Sequence, residues 1–154
     1  MLEECLADAQ DKLSCRLCYD TFPITIDGAH IDFGFTAVES ASLAKFLAGA
    51  DAVILLAATV GAALDRLIAR ASITSPTRAL LYDAIGTERV EALCYAFSDA
   101  PRFSPGYGDL PLAFQREIFR VLDCPKHIGL SLGGSFIMTP SKSVTAIIPI
   151  KENL

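Results

Sequence analysis

The stretch Ala52-Val53-Ile54-Leu55-Leu56-Ala57-Ala58 decides how this chain folds, because all seven residues are apolar. A continuously apolar run of this length is typical of a central strand that is covered on both faces. Thr59-Val60-Gly61 leads from it into apolar residues at helical spacing, which predicts a helix over about residues 61–71. The junction can present backbone N–H groups to an anion, but it lacks the several glycines and the lysine of a P-loop.

The residues before this strand predict a helix and a β-hairpin. Apolar residues recur at helical spacing over residues 2–17, which predicts an amphipathic helix there. Asp27-Gly28 can adopt the positive φ angles of a two-residue turn, and it predicts a hairpin over residues 22–33. Ser40 is a candidate N-cap for a short helix that follows the hairpin.

The residues after the central strand predict two further helices and three short strands. Ser75-Pro76 places an N-cap residue before proline at the first helical position, and the helical pattern then continues to about Ser98. The other elements are a helix over residues 111–122 and strands over residues 130–132, 136–138 and 144–150. This order of elements predicts a single α+β domain, residues 1–154, with helices packed on a mixed, largely antiparallel sheet.

The composition argues against several classes of function. The net charge is −5 and the basic residues are scattered, so we expect no nucleic-acid partner, which would require a basic stripe. The longest apolar run has the length of a strand, far short of the roughly 20 residues that span a bilayer, so we expect no membrane span. The hydrophobic content of 52% predicts a dense core, an interface or both. A homo-oligomer would explain such an interface as well as a partner protein would.

The cysteines and the first residues predict a cytoplasmic protein. Acidic residues near the N-terminus argue against a secretory signal, and five cysteines, an odd number, favour reduced thiols. Cys15-x-x-Cys18 leaves three interpretations open: ordinary thiols, a redox pair or part of a metal site. A structural zinc site needs a second cysteine pair, which the chain lacks. A redox pair is expected at the start of a helix after a strand, and this pair ends the first predicted helix. We therefore expect ordinary thiols and no metal site.

The segment Arg102-Phe103-Ser104-Pro105-Gly106-Tyr107-Gly108-Asp109-Leu110-Pro111 is a rigid, polar turn between two predicted helices. Its glycines let a ligand approach the backbone closely, and its prolines fix φ. Arg102 can make bidentate contacts to a carboxylate or phosphate, and Tyr107 offers a flat face and a hydroxyl. These features are typical of a small-molecule site, although a stiff connector has a similar composition. Asp109 is a candidate cap for the helix that begins near Leu110, or a contact to ligand hydroxyls.

Other polar residues offer no catalytic apparatus. His30 and His127 have no companion that would make either one a general base, and the chain has no Ser/His/Asp triad and no H-E-x-x-H motif. Asp83, Glu88 and Glu91 lie on one predicted helix, where solvated carboxylates are common. The eight-residue spacing of Asp83 and Glu91 would nevertheless place both on one face. We therefore predict no catalytic residue.

Two blocks, Arg102 to Tyr107 and Ser135 to Ala146, follow patterns that occur together in one family. The first reads Arg-x-x-x-Gly-Tyr, and the second, with Ile128 to Leu132 before it, follows the pattern IGxxL…SxxMxPxxSVxG, with Ala146 at the last position. These blocks resemble the activation (reactivation) domain of vitamin B12-dependent methionine synthase, in which Arg-x-x-x-Gly-Tyr is the S-adenosylmethionine-binding signature. Further segments that are similar to this family, some of them to its short, free-standing members, are Ala57 to Asp65, Asp83 to Glu91 and Gln115 to Leu122.

The resemblance implies an activation-domain-like fold and an S-adenosylmethionine-binding accessory protein. Such a protein would support reductive remethylation, or reactivation, of cobalamin in a B12-dependent methionine synthase or a related corrinoid methyltransferase. That partner chain would supply the cobalamin, and the accessory protein would serve methionine biosynthesis without being catalytic alone. The residues that the resemblance assigns to the ligand site are Arg102, Ser104, Pro105, Gly106, Tyr107 and Lys142.

The chain also departs from the family pattern in three places. Gly133-Gly134 stands where the family commonly has Thr-Glu, and Ile147-Ile148-Pro149 stands where it usually has an aromatic residue near the ligand. The chain is shorter than the domain of the fused enzyme, so the acidic ligand contact near that domain's N-terminus has no assignable counterpart. The alternative function is therefore a non-catalytic interaction or assembly protein of the same fold that has lost ligand binding.

Overall fold

The structure, a computed structural model, describes residues 1–151 and has six α-helices and eight strands within them. No helix in this range has the length and apolar character required to cross a membrane. The elements in chain order are α1 (Leu2–Gln10), β1 (Arg16–Pro23), β2 (Thr25–Asp27), β3 (His30–Asp32), β4 (Ala37–Glu39), α2 (Ala41–Phe46), β5 (Ala52–Thr59), α3 (Ala62–Thr74), α4 (Pro76–Phe97), α5 (Gln115–Leu122), α6 (Cys124–Ile128), β6 (Ser131–Leu132), β7 (Met138–Thr139) and β8 (Ser143–Ile150).

Three antiparallel sheets contain all of these strands. The central sheet has the order β1-β5-β8, and Leu56 of β5 lies opposite Tyr19 on one side and Ala146 on the other. The second sheet is the meander β2-β3-β4, and the third is the small hairpin β6-β7. The prediction of helices packed on a largely antiparallel sheet is therefore confirmed, whereas the prediction of a single domain stays a prediction.

Strand β5 is apolar throughout because hydrophobic clusters cover both of its faces. Val53, Leu55 and Ala57 point to a cluster formed with the β2–β4 sheet, α2, α5 and α6. Leu56 and Ala58 point the other way, into a cluster formed with α1, α3 and α4. Alternate residues of a strand face opposite sides, so a strand between two layers needs apolar residues at every position.

The first predicted helix was wrong beyond Gln10. Residues 16 and 17, of which Leu17 fitted the helical pattern, belong instead to β1, which pairs with all eight residues of β5. Strand pairing against a buried neighbour overrides local helical spacing. The helical part is α1, which buries Cys5 and Ala9 against α4, and Arg78 of α4 ion-pairs with Glu4.

Most of the remaining element predictions hold. Ser40 caps α2 by accepting a hydrogen bond from the Leu43 backbone N–H at 3.1 Å, and α4 begins at Pro76 with Ser75 as its N-cap. The helix predicted over residues 111–122 opens instead as a 3₁₀ turn, and its α-helical part begins at Gln115. The predictions missed β4 and α6. Asp123, with φ 49°, ends α5 before α6 begins.

Candidate functional site

The segment from Arg102 to Leu110 is fixed along the outer edge of β8. Phe103 and Ile147 exchange two backbone hydrogen bonds, of 3.0 Å and 2.7 Å, in an isolated antiparallel bridge. One residue further on, the Ser104 hydroxyl donates to the Thr145 carbonyl at 2.7 Å. Pro105 is buried as well. The first half of the loop is therefore a short extension of the central sheet, with a backbone position set by β8.

The second half of the loop is a tight turn that requires its glycines. Gly106 has φ 94°, and its N–H donates to the Leu110 carbonyl at 2.9 Å. Gly108 has φ 56°, and a Cβ atom there would lie 2.6 Å from the Ser42 hydroxyl oxygen. Only glycine combines this backbone conformation with so close an approach. The turn therefore packs directly against the start of α2.

Asp109 caps α2, which corrects the prediction that it caps a helix beginning near Leu110. Its carboxylate accepts hydrogen bonds from the Ser40 hydroxyl at 2.5 Å and from the backbone N–H groups of Ala41 and Ser42 at 2.9 Å and 3.1 Å. These donors, the Ser40 hydroxyl first among them, lower the pKa of Asp109 to about 2. A carboxylate also suits the positive end of the helix dipole. Asp109 is thus an anchor of the loop.

Arg102 points away from this turn and toward the last turns of α4. Its Nη2 atom lies 2.5 Å from Oε2 of Glu91, and its side chain is 20% exposed. The guanidinium lines a cavity of about 360 Å³ whose other walls are Glu88, Glu91, Ala92, Tyr95 and Ala96 of α4. Arg102 therefore stands at the boundary between the fixed loop and an open cavity on the surface of α4.

Lys142 meets the same face of α4 from the other end. Its Nζ atom lies 2.9 Å from Oδ1 of Asp83 and donates to the Thr87 hydroxyl at 2.9 Å. Asp83, Thr87 and Glu91 are spaced by four residues, so they line one face of the helix. Because one turn rises about 5.4 Å, Lys142 and Arg102 bind neighbouring turns of that face. The structure thus brings together two of the predicted ligand residues around a shared row of acceptors.

The other predicted ligand residues lie apart from this cavity. Ser104 and Pro105 are packed along β8, and Tyr107 is 69% exposed at the outer turn, with its ring edge-on to Phe103 at 5.2 Å. Of the six predicted ligand residues, Arg102 alone lines the α4 cavity within residues 1–151. The assignment of the set to a ligand therefore stays a prediction.

The sequence predictions missed Tyr95, which is 65% exposed and lines the cavity. The signal was present, since Tyr95 continues the four-residue spacing of Asp83, Thr87 and Glu91 by one more turn. Its exposed aromatic face lies beside carboxylates, an arrangement that suits a cation or a flat ring. Glu88 ion-pairs with Arg89, which raises the pKa of that arginine further.

Neither Cys94, beside the cavity, nor the Cys15-x-x-Cys18 motif is arranged as a reactive thiol site. Burial raises the pKa of the Cys94 thiol near Arg102, which keeps it protonated. Cys15 is exposed near Arg89, whereas Cys18 packs on the other side of the central sheet beside Cys124, whose thiol lowers the pKa of Cys18. The Cys15-x-x-Cys18 motif therefore does not form a pair. Within residues 1–151 no group of three or more His, Cys, Asp or Glu side chains could hold a metal ion.

Neither histidine lies in the cavity. His30 Nδ1 is 2.6 Å from the Glu39 carboxylate across the β3–β4 pair, and both side chains are exposed. His127 Nδ1 lies 3.0 Å from the Leu122 carbonyl, to which it can donate a hydrogen bond at the end of α5. Both contacts are local and structural, and neither places a proton acceptor beside Arg102.

Comparison with known proteins identifies the fold. No family model matches the chain. No curated protein matches it significantly. A matching solved structure is the crystal structure of the MetH reactivation domain bound to AdoHcy, with a TM-score of 0.70 and 19% sequence identity. The match covers 99% of this chain and 66% of that one, so the chain spans slightly less than two thirds of its neighbour's length. The reactivation-domain fold predicted from the sequence is confirmed.

Proposed function

We propose that this protein binds S-adenosylmethionine and supports reductive remethylation of cobalamin carried by a B12-dependent methionine synthase or a related corrinoid methyltransferase. The observation that carries the proposal is the match, over 99% of the chain, to a reactivation domain bound to AdoHcy. AdoHcy is the product that S-adenosylmethionine leaves after it has donated its methyl group. The Arg-x-x-x-Gly-Tyr motif and the cavity beside Arg102 add support from within this chain.

Arg102 and the cavity beside it suit the carboxylate and the size of an S-adenosylmethionine molecule. A guanidinium has five N–H donors, and the hydrogen bond of Arg102 to Glu91 occupies one of them. The remaining donors can bind the carboxylate of the methionine moiety in a bidentate contact. The cavity of about 360 Å³ is within the range of about 300–1,000 Å³ that is typical of small-molecule sites.

The charges on α4 suit the cationic part of the same molecule. Glu88 and Glu91 line the cavity and would attract the sulfonium and ammonium groups. The exposed ring of Tyr95 offers a flat face on which an adenine can stack. A carboxylate-binding arginine, two carboxylates and an aromatic face are thus present along about two turns of one helix.

The chain's part in the reaction is to bind and orient the methyl donor. The partner's cobalamin would supply the cobalt, which would accept the methyl group after an external donor had reduced it by one electron, with S-adenosylhomocysteine as the leaving group. Arg102 would fix the methionine end, and Ser104, Pro105 and Gly106 would hold the loop in place through their contacts with β8 and Leu110. Tyr107, exposed at the outer turn, would face the partner, and Lys142 would keep the acceptor row of α4 in register. Correct orientation of two reactants is itself a large source of rate acceleration.

One observation favours the second candidate, an assembly protein that has lost the ligand. Both predicted basic contacts already have acidic partners within the chain, Arg102 with Glu91 and Lys142 with Asp83. Such ion pairs can simply fasten the loop and the start of β8 to α4. In that case the protein would bind its partner without any methyl donor.

Titration calorimetry with S-adenosylmethionine and with S-adenosylhomocysteine separates these two functions. We expect saturable binding of both ligands to the parent protein. Arg102→Ala should weaken both by at least about 10-fold, because both carry the carboxylate and a hydrogen bond to a charged group contributes about 1.5–3 kcal/mol. Glu88→Gln should weaken S-adenosylmethionine more than S-adenosylhomocysteine, since both carry the ammonium group but the thioether of S-adenosylhomocysteine is neutral.

The matched control is Arg70→Ala, which removes an exposed arginine of α3 far from the cavity. It should leave both affinities unchanged. Absence of binding at millimolar ligand, for a parent protein that is folded by circular dichroism, would contradict the proposed function and favour the assembly protein.

A further inference from the structure

A second cavity, of about 440 Å³, lies between α5, the start of α6 and the β6–β7 hairpin. Its charged lining residues are Arg116, Arg120 and Asp123, and its apolar walls include Phe119 and Leu132. It shares no lining residue with the cavity beside Arg102. Its volume and its mixture of apolar walls with a few charged groups are typical of small-molecule sites. Nothing in the proposed function makes use of it.

Arg116 supplies a positive charge to the cavity. Its guanidinium carbon lies 4.6 Å from the centre of the Phe136 ring, and it forms no ion pair with any residue between Met1 and Lys151. Stacking on an aromatic face occupies the plane of a guanidinium and leaves its N–H edge available. The N–H edge of Arg116 can therefore donate two hydrogen bonds to a carboxylate, phosphate or sulfonate in a bidentate contact.

Phe136, the residue on which Arg116 stacks, has an unusual backbone conformation. Its φ is 62°, in the left-handed region that aromatic residues rarely adopt. Such a conformation costs roughly 1–3 kcal/mol and persists only where the surrounding structure requires it. The hairpin therefore maintains, at some cost, the orientation that places the ring under Arg116.

The other charges near the cavity are one ion pair and one separate carboxylate. Arg120 lies four residues after Arg116 on α5 and ion-pairs with Glu117 at 2.7 Å. Asp123 contributes one negative charge at the far end of the helix. Arg116 is thus the cation that remains for a ligand, and it calls for one anionic group rather than several.

Gly133 leaves the space that the apolar part of such a ligand would fill. A Cβ atom built at Gly133 would meet only the Ile137 carbonyl oxygen, at 3.5 Å, an ordinary contact, and its φ is not in the left-handed region. A side chain at this position would therefore be tolerated by the backbone, and because Gly133 lines the cavity, the absence of a side chain keeps that wall open. Gly133 is one of the two glycines that stand where the reactivation-domain family commonly has Thr-Glu.

We propose that this cavity is a second ligand site, which binds a small organic anion with an apolar body through Arg116 and the walls formed by Phe119 and Leu132. The site requires a single anionic group and an aromatic or aliphatic portion. A positively charged S-adenosyl compound does not suit it. The site is independent of the proposed function and stands or falls without it.

Fluorescence titration with 8-anilinonaphthalene-1-sulfonate, an aromatic monoanion, tests the proposal. We expect saturable binding of one molecule, weakened at least about 10-fold by Arg116→Gln, because a hydrogen-bonded charge is lost. Gly133→Leu should weaken binding, because it adds a bulky side chain to the wall of the cavity. The neutral probe N-phenyl-1-naphthylamine should bind the parent protein at least about 10-fold more weakly than the anion. Arg70→Gln is the matched control and should have no effect.

The outcomes separate a specific site from general hydrophobic binding. Equal binding of the neutral and anionic probes, or anion binding that both Arg116→Gln and Gly133→Leu leave unchanged, would overturn the proposal. Thermal melting of each variant verifies that it is folded, and Arg116→Gln changes only an exposed side chain. Displacement of the probe by 1-naphthoate or by 1-naphthyl phosphate shows whether the site prefers a carboxylate or a phosphate. Failure of both to displace it would also contradict the proposal.

Discussion

Arg102 and Arg116 each place a guanidinium beside a cavity, but different groups hold them. Arg102 is 20% exposed and pairs with the Glu91 carboxylate, whereas Arg116 is exposed and stacks on the Phe136 ring. A carboxylate neutralises a cation and competes with any anionic ligand. An aromatic ring positions the cation and leaves its charge available. The difference shows that an arginine beside a cavity is informative only together with the group that holds it.

The two regions also differ in how their backbones are fixed. The Arg102 loop is tied to β8 by Phe103 and to α2 by Asp109, so two separate elements determine its position. Arg116 lies within α5, and the hairpin that carries Phe136 is joined by only two residue pairs. Substitutions that shift β8 or α2 should therefore displace Arg102. The position of Arg116 should depend instead on the β6–β7 hairpin.

The largest effect is expected from a substitution that disturbs the Arg102 region and spares the other. A Cβ atom at Gly86 of α4 would lie 2.7 Å from Cδ2 of Leu64, which is fully buried, and 2.8 Å from Cγ of Lys142. Gly86→Leu should therefore destabilise the protein by about 2–3 kcal/mol and lower the melting temperature by about 5–10 °C. Calorimetric melting measures this change.

The control for Gly86→Leu is Ala84→Leu, which adds the same side chain at an exposed position of α4. It should change the melting temperature by little more than about 1 °C. Binding of the anionic probe near Arg116 should stay within about two-fold of the parent in both variants. Loss of probe binding in Gly86→Leu while the protein remains folded would show that the two regions are coupled.

A smaller effect, with a defined pH dependence, is expected at the anchor of the Arg102 loop. The folded-state pKa of Asp109 is about 2, below its ordinary value of 3.8, because the Ser40 hydroxyl and two backbone N–H groups donate to the carboxylate. A lowered pKa stabilises the fold above about pH 4, and this contribution is lost as the pH falls toward 2. Asp109→Ala should therefore lower the melting temperature by about 2–4 °C from pH 7 to about pH 4, and by progressively less as the pH falls from there toward 2.

Asp99→Ala is the matched control for the anchor, since Asp99 is exposed and its carboxylate accepts no hydrogen bond within the part of the chain described. The melting temperature of Asp99→Ala should differ little from that of the parent, and the difference should be independent of pH. A difference for Asp109→Ala that stays constant from pH 7 to pH 2 would show that the carboxylate does not cap α2. The affinity for the anionic probe should be the same in Asp109→Ala as in the parent protein.

The sequence predicted those features that local pattern determines. The apolar run of β5 predicted a strand covered on both faces, and Ser75-Pro76 predicted where α4 begins, because each signal lies within a few residues of its effect. Residues 16–17 were assigned to a helix because their leucine fitted its spacing. Their actual state depends on pairing with Ala58 and Thr59, more than 40 residues away, which no local pattern contains.

The same distinction explains which parts of the candidate site were predicted. Arg102 was identified from its own loop, but its partner Glu91 and the cavity depend on how the end of α4 folds back. Asp109 was assigned to a neighbouring helix because its true partners, near Ser40, are almost 70 residues earlier. Arg116 gave no sequence signal at all, since its significance comes from a ring 20 residues later.

The smallest expected effects are the coupling energies of the two arginines, and these compare the two regions most directly. Double-mutant cycles with Arg102→Gln and Glu91→Gln, and with Arg116→Gln and Phe136→Leu, should each give about 0.5–1 kcal/mol from urea unfolding at low salt. Salt screens an exposed ion pair, and the Glu91 side chain is 52% exposed. The first coupling should therefore fall by about half when salt is raised to roughly 0.5 M.

The second coupling should change much less with salt. The attraction between a guanidinium and an aromatic ring acts over a shorter range than that between two charges, and added ions screen it less. A coupling between Arg116 and Phe136 that falls with salt in parallel with the Arg102 pair would mean that Arg116 is held by a carboxylate in solution. That result would remove the distinction between the two regions and with it the reason for assigning an anionic ligand to Arg116.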